Sequence, residues 1–129
     1  MFKFSTTSRL RMSGVNPELI EIANLAIKIS KVDFGIPEYG GIRTAEDQAK
    51  LYADGKSKAD GVTHLSNHQS GNALDFYSYV YGRASWDELH LAMVACAFLQ
   101  AASILGYKLG WGGLFKSFKD FPHVELLDS

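Results

Sequence analysis

Two short stretches of this chain place a histidine near a carboxylate. The first is Ser66-Asn67-His68-Gln69-Ser70-Gly71-Asn72-Ala73-Leu74-Asp75, and the second is Asp120-Phe121-Pro122-His123-Val124-Glu125. Neutral imidazole nitrogens and carboxylate oxygens are ligands of catalytic zinc, which takes three protein groups and keeps one position open. Such an ion lowers the pKa of water toward about 7 and polarises a carbonyl. A further carboxylate, not bound to metal, must carry the proton from water to the leaving group. His68, Asp75, Asp120 and His123 supply that inventory.

The elements around them have to bring them together. His68 and Asp75 lie either side of a turn containing Gly71 that enters a strand candidate, so both can be aimed at one point. Pro122 disfavours a helix before it, which takes Asp120 and His123 off a helix face. His123 is expected to begin a strand, with Asp120 on the loop before it. Spacing alone does not settle the assignment, because a single histidine is more often structural or exposed than a ligand. His64 is a rival ligand if its loop is helical. His90 is expected on the flank of a helix, away from the chemistry.

The wider chain bounds the possibilities. Its 129 residues suit one catalytic domain, 1–129, with 47% hydrophobic and 21% charged residues in an ordinary globular balance. The formal net charge of -1 gives no electrostatic case for nucleic acid. Binding to an anionic polymer must rest on local contacts. The single cysteine, Cys96, excludes an internal disulfide and the usual cysteine zinc frameworks. Lying in the apolar run Leu91–Leu99, it is expected to be a small buried hydrophobe. The N-terminus, Met1 to Arg9, shows no apolar stretch or cleavage site of a secretory signal. The run Leu91–Leu99 falls short of the about 20 residues that cross a bilayer. A soluble cytoplasmic chain with no stable membrane association, acting as a monomer, is expected.

Helices are expected at three places. Asn16 and Pro17 open one over 17–30, with Leu19, Ile22, Ala23, Ala26 and Ile27 on one face. Thr44 caps a second, ended by Gly55. A third runs from a Ser85/Glu88 capping box to Gly106, and its apolar composition predicts a central helix covered on nearly every side. Strand candidates are Ile42 and its neighbours, Ala73–Tyr79, Tyr107–Trp111 and His123–Leu127. Residues 55–72 read as a long loop, a kind that is often functional. This order predicts an α+β fold, with helices packed on one face of a small, mainly antiparallel sheet.

Four motifs in order then carry a resemblance. Ser66, His68, Gly71, Ala73 and Asp75 fill a Ser-x-His-x-x-Gly-x-Ala-x-Asp pattern, and Asp120, His123 and Glu125 fill Asp-x-x-His-x-Glu. Gly41 to Gln48 reads Gly-Ile-Arg-Thr-x-x-x-Gln, and Gly110-Trp111-Gly112-Gly113 is followed by Lys116-Ser117-Phe118-Lys119-Asp120. Together they resemble the M15 metallopeptidases, the D-alanyl-D-alanine carboxypeptidase and L-alanyl-D-glutamate peptidase group, and the phage endolysin branch in particular. The resemblance implies the Hedgehog/D,D-peptidase-like fold, and Zn2+ on His68, Asp75 and His123, with Asp120 as general base and acid. It implies that Arg43 faces the substrate, against the plainer reading of a surface ion pair with Glu46 or Asp47. Ser66, Gln48, Glu125 and Trp111 become substrate contacts or supports of the ligands. Glu125 either orients a metal-bound histidine or faces solvent.

The implied substrate is the peptidoglycan stem peptide, cut at its L-alanyl-D-glutamate bond. A lysis enzyme of this kind would stay in the host cytoplasm until a separate protein opens the inner membrane. A D-alanyl-D-alanine carboxypeptidase or dipeptidase on the same fold is the enzymatic alternative. A non-catalytic module that binds wall peptides is a third reading, one with no use for a proton carrier at Asp120. The chain departs from the endolysin branch at Leu114 and Phe115, where relatives often carry an acidic residue and then Trp.

Overall fold

Asn16 accepts a hydrogen bond from the Glu18 amide and Pro17 follows it, so helix α2 starts where the sequence places it and spans Pro17–Ile29. In the computed structural model, which describes residues 1–127, α2 follows a short helix α1, Thr6–Arg11. Strand β1 is Asp33–Gly35, and helix α3, Ala45–Ala53, is capped by the Thr44 hydroxyl. Strands β2 (Ala73–Asp75), β3 (Tyr77–Val80) and β4 (Arg83–Ser85) precede the long helix α4, Glu88–Leu105. Strand β5 (Leu109–Trp111), a 3-10 turn at Gly112–Leu114, and strand β6 (His123–Leu126) complete the order.

The expected α+β fold is borne out, with all strand pairs antiparallel. The strands form two three-stranded sheets, β1-β3-β4 and β2-β6-β5. The chain passes from one sheet to the other at Phe76, between β2 and β3. Phe76 is fully buried and stacks on Phe98 of α4 at 5.1 Å between ring centroids. It also meets Phe34 of β1 edge-on. Its amide donates to the Pro122 carbonyl, which ties the switch point to the segment leading into β6. The aromatic cluster therefore fixes both sheets against α4. The buried face of α2 is the one predicted: Leu19, Ile22, Ala23, Ala26 and Ile27. It packs on α4, whose Ala95, Ala101 and Ala102 let the helices approach closely.

Several expectations require correction. Helix α4 is capped by Asp87, whose carboxylate accepts from Leu89, because Ser85 lies in β4 and its hydroxyl is bonded to His90 Nδ1. The helix is not covered all round: Leu89, Met93 and Ile104 are exposed. Cys96 lies on that open side and is exposed, contrary to the buried position expected. The apolar run belongs to an 18-residue helix with a mean hydropathy of 1.6, long and apolar enough to cross a membrane, although one face of it is core. Ile42 is in no strand. Helix α1 and strands β1 and β4 were not foreseen, being too short for a periodic pattern.

Residues 55–72 contain neither helix nor strand, as expected. Their order comes from local hydrogen bonds. Asp60 Oδ1 accepts from the amides of Val62, Thr63 and His64 at 2.8–3.0 Å. These bonds, led by the one from His64, hold the Asp60 carboxyl down at about 2. A lowered carboxylate pKa supports the folded loop above the ordinary value near 3.8, and that support is lost as pH falls toward 2. Amide exchange at Val62–His64 is therefore expected to stay protected from pH 5 to 8. Asp60→Ala should remove that protection at neutral pH. Equal protection in the variant would show that the loop is ordered by something else.

Candidate active site

Asp75 closes β2 directly opposite His123, the first residue of β6. Directly opposed residues of an antiparallel pair project from the same face of the sheet. The cross-strand register alone thus brings a carboxylate from the middle of the chain to an imidazole near its end. Asp75 Oδ1 lies 3.1 Å from His123 Nδ1.

His68 arrives from the turn before β2. The turn reverses at Gly71, with φ +78°. A side chain there would press on the Gly14 carbonyl, and the Gly71 carbonyl accepts from the Asn16 amide at 2.9 Å. The His68 carbonyl accepts from the Arg43 amide, and its Nδ1–H donates to the Gly41 carbonyl at 2.9 Å. A carbonyl can only accept, so the proton sits on Nδ1. Nε2 turns inward, 3.2 Å from Asp75 Oδ1. The two rings meet edge to face with centroids 5.2 Å apart.

One donor atom from each of His68, Asp75 and His123 lies within 4.8 Å of the others. Two imidazole nitrogens and a carboxylate oxygen form a set suited to a divalent cation. Both rings also have their outer nitrogen engaged: His68 on Gly41, and His123 Nε2 on Glu125 Oε1 at 2.7 Å. Such outer partners fix the tautomer and orientation of a ligating histidine. Glu125 follows His123 by two residues on the same face of β6, and its other oxygen accepts from Asn67. Glu125 thus bonds to His123 rather than only facing solvent.

Charge follows from this packing. Burial opposes ionisation of Asp75, but the two histidines outweigh it and hold its carboxyl well below the usual range. Burial also opposes charge on His123, yet Asp75 and Glu125 push its pKa up to about 9. The Glu125 carboxyl is lowered by its bond to His123. Asp120 differs. Its side chain is 52% exposed, 3.8 Å from His123 Nδ1, and its pKa is raised by burial and by the Asp75 charge.

Arg43 makes neither of the surface ion pairs considered for it. Its Nε donates to the Tyr39 carbonyl, one terminal nitrogen to Gln48 and the other to Asp75 Oδ2 at 3.0 Å. Gln48 is fully buried and passes the connection on to Ser57 and the Ala59 carbonyl. It therefore touches Arg43 and the loop, not the open site. Ser66 lines the cleft and accepts from the His68 amide. Trp111 lies behind the site: its indole donates to the Phe121 carbonyl at 2.7 Å. The two glycines after it are required by close approach. A side chain on Gly112 would strike the Asp120 carbonyl, and one on Gly113 the Trp111 ring. The Asp120 amide donates to the Gly112 carbonyl, so this segment sets where Asp120 stands. His64 is exposed and His90 is bonded to Ser85; neither joins the cluster.

The site opens into a cleft of about 450 Å³. Beyond the site residues it is lined by Lys56 to Ala59 and by Phe115, Phe118 and Lys119. None of these lining residues, nor the Gly41 carbonyl, was singled out as a site contact, although residues 56–59 lie in the long loop read from the sequence and Gly41, Phe118 and Lys119 lie in the family motifs. The Gly40-Gly41 pair was the available signal, since a side chain on Gly41 would strike the Arg11 carbonyl.

A family model for the phage L-alanyl-D-glutamate peptidase matches residues 1–127. The chain belongs to that family. It is 36% identical over 126 residues to the L-alanyl-D-glutamate peptidase of Escherichia phage T5, covering 97% of this chain and 89% of the relative. It is 28% identical over 107 residues to the peptidoglycan L-alanyl-D-glutamate endopeptidase CwlK of Bacillus subtilis strain 168, covering 67% of this chain and 58% of that one. Among solved structures it resembles the Serratia marcescens L-Ala D-Glu endopeptidase ChiX. The TM-score is 0.84 at 32% identity, over 97% of this chain and 90% of that one. The resemblance read from the four motifs is borne out, and with it the endopeptidase class. A family of peptidases weighs against a module that only binds.

Proposed function

We propose that this chain hydrolyses the L-alanyl-D-glutamate bond of the peptidoglycan stem peptide with one zinc ion held by His68, Asp75 and His123. The observation that carries the reading is the convergence of those three donors, each imidazole being fixed from behind by an oxygen. Bound there, a divalent ion would supply Lewis acidity toward a carbonyl and toward water. Asp75 stays ionised and is steered by Arg43. Asp120 stands beside the ligand set without belonging to it. It takes a proton from the attacking water and hands it to the leaving nitrogen. Its raised pKa suits a group that must both accept and return a proton. Arg43 uses three of its five N–H donors inside the protein. The others serve a substrate oxygen in the cleft that it lines. The whole chain acts as one catalytic domain. It is held in the host cytoplasm until lysis and then works on the wall.

Identification of the new chain ends by mass spectrometry tests the bond. Incubation with purified wall fragments should expose a new N-terminal D-glutamate and a new C-terminal L-alanine. Release of terminal D-alanine instead would mark the carboxypeptidase alternative.

A further inference from the structure

We infer that Lys56, Lys58 and Lys119 form a rim that grips the free carboxylate of the glutamate on the leaving side of the scissile bond. The inference rests on the peptidase reading of the same cleft. The chain as a whole offers anions little, with 13 Lys and Arg against 14 Asp and Glu. Three lysines nevertheless line one cleft mouth. None of them is ion-paired with a carboxylate among the described residues. Two are held in place by uncharged partners: Lys58 Nζ lies 4.4 Å from the centre of the Phe118 ring, and Lys119 Nζ donates to the Phe115 carbonyl at 3.0 Å. The three lysines thus line one cleft with no carboxylate partner among the described residues.

The substrate brings the missing partner. A glutamate inside a peptide has two carboxyl groups and uses at most one to continue the chain. At least one carboxylate therefore lies within a few bonds of the scissile nitrogen. Cations at the rim attract that carboxylate and favour a substrate whose charge lies on the leaving side.

The test uses two soluble L-alanyl-D-glutamyl peptides, one with that carboxyl free and one with it as the carboxamide. The wild-type protein should favour the carboxylate about tenfold in kcat/KM. Lys56→Gln and the double variant Lys58→Gln/Lys119→Gln should each lower that preference, by about twofold per lysine, as for a solvent-exposed ion pair. The loss should appear in KM, with kcat little changed, and circular dichroism should show an unaltered fold. Equal losses on both peptides, or an unchanged preference, would overturn the rim. So would variants that weaken only on intact wall, a result assigning the lysines to an anionic wall polymer. Failure of the wild-type protein to cut either peptide would overturn the peptidase reading and the rim with it.

Discussion

Asp120→Ala should retain its metal and lose most of its turnover, by about 10²- to 10⁴-fold, the range for a positioned acid–base group. The side chain stands at the edge of the site, 52% exposed and 3.8 Å from His123 Nδ1, outside the three-residue cluster of donors. Its backbone is held independently of the carboxylate: the amide donates to Gly112, and the carbonyl accepts from His123. Truncation therefore removes the proton carrier without moving the loop or the ligands. Asp120→Asn should behave the same way, since the amide fills the space but takes no proton. Metal content and turnover measured on one preparation check this outcome. Full activity in either variant would remove Asp120 from the mechanism.

His68→Ala should lose both metal and turnover. The ring is 2% exposed, and it supplies one of three converging donors. Two remaining groups from neighbouring strands do not make the set that holds zinc. The change also strips the Gly41 carbonyl of its donor, which costs about 1–3 kcal/mol for a buried group left unpaired. Stability and metal binding can be told apart by thermal unfolding. Added zinc should raise the melting temperature of the wild-type protein, because a ligand that binds only the folded state stabilises it. The variant should melt lower and respond to zinc little or not at all. An undiminished zinc response in His68→Ala would mean that the ion is held elsewhere.

The chemistry was more legible in the sequence than the scaffold was. Residue type and spacing alone leave His68, Asp75, Asp120 and His123 undecided, but the motifs that hold them follow a family pattern in order, and three of the four converge. The pairing of Asp75 with His123 was not readable, because register across 48 residues depends on strands only three and four residues long. Helix α2 was read almost to the residue because Asn16, Pro17 and a strict apolar spacing agree. Helix α4 was misread at its start, since Ser85 and Asp87 both suit a cap and only the geometry of β4 decides between them. Its exposed side was hidden for a different reason: an apolar residue is not obliged to be buried. Arg43 illustrates a third limit. Its motif pointed to the site, while its partners Asp75, Gln48 and Tyr39 come from three separate segments that composition cannot connect.

The central claim is tested most directly by X-ray absorption at the zinc edge of the wild-type protein loaded with one equivalent of the metal. The expected spectrum has a shell of nitrogen and oxygen neighbours with the multiple scattering of two imidazole rings, replaced by the spectrum of free aqueous zinc in His68→Ala. A spectrum with no imidazole contribution, or one unchanged by that substitution, would contradict the proposed centre.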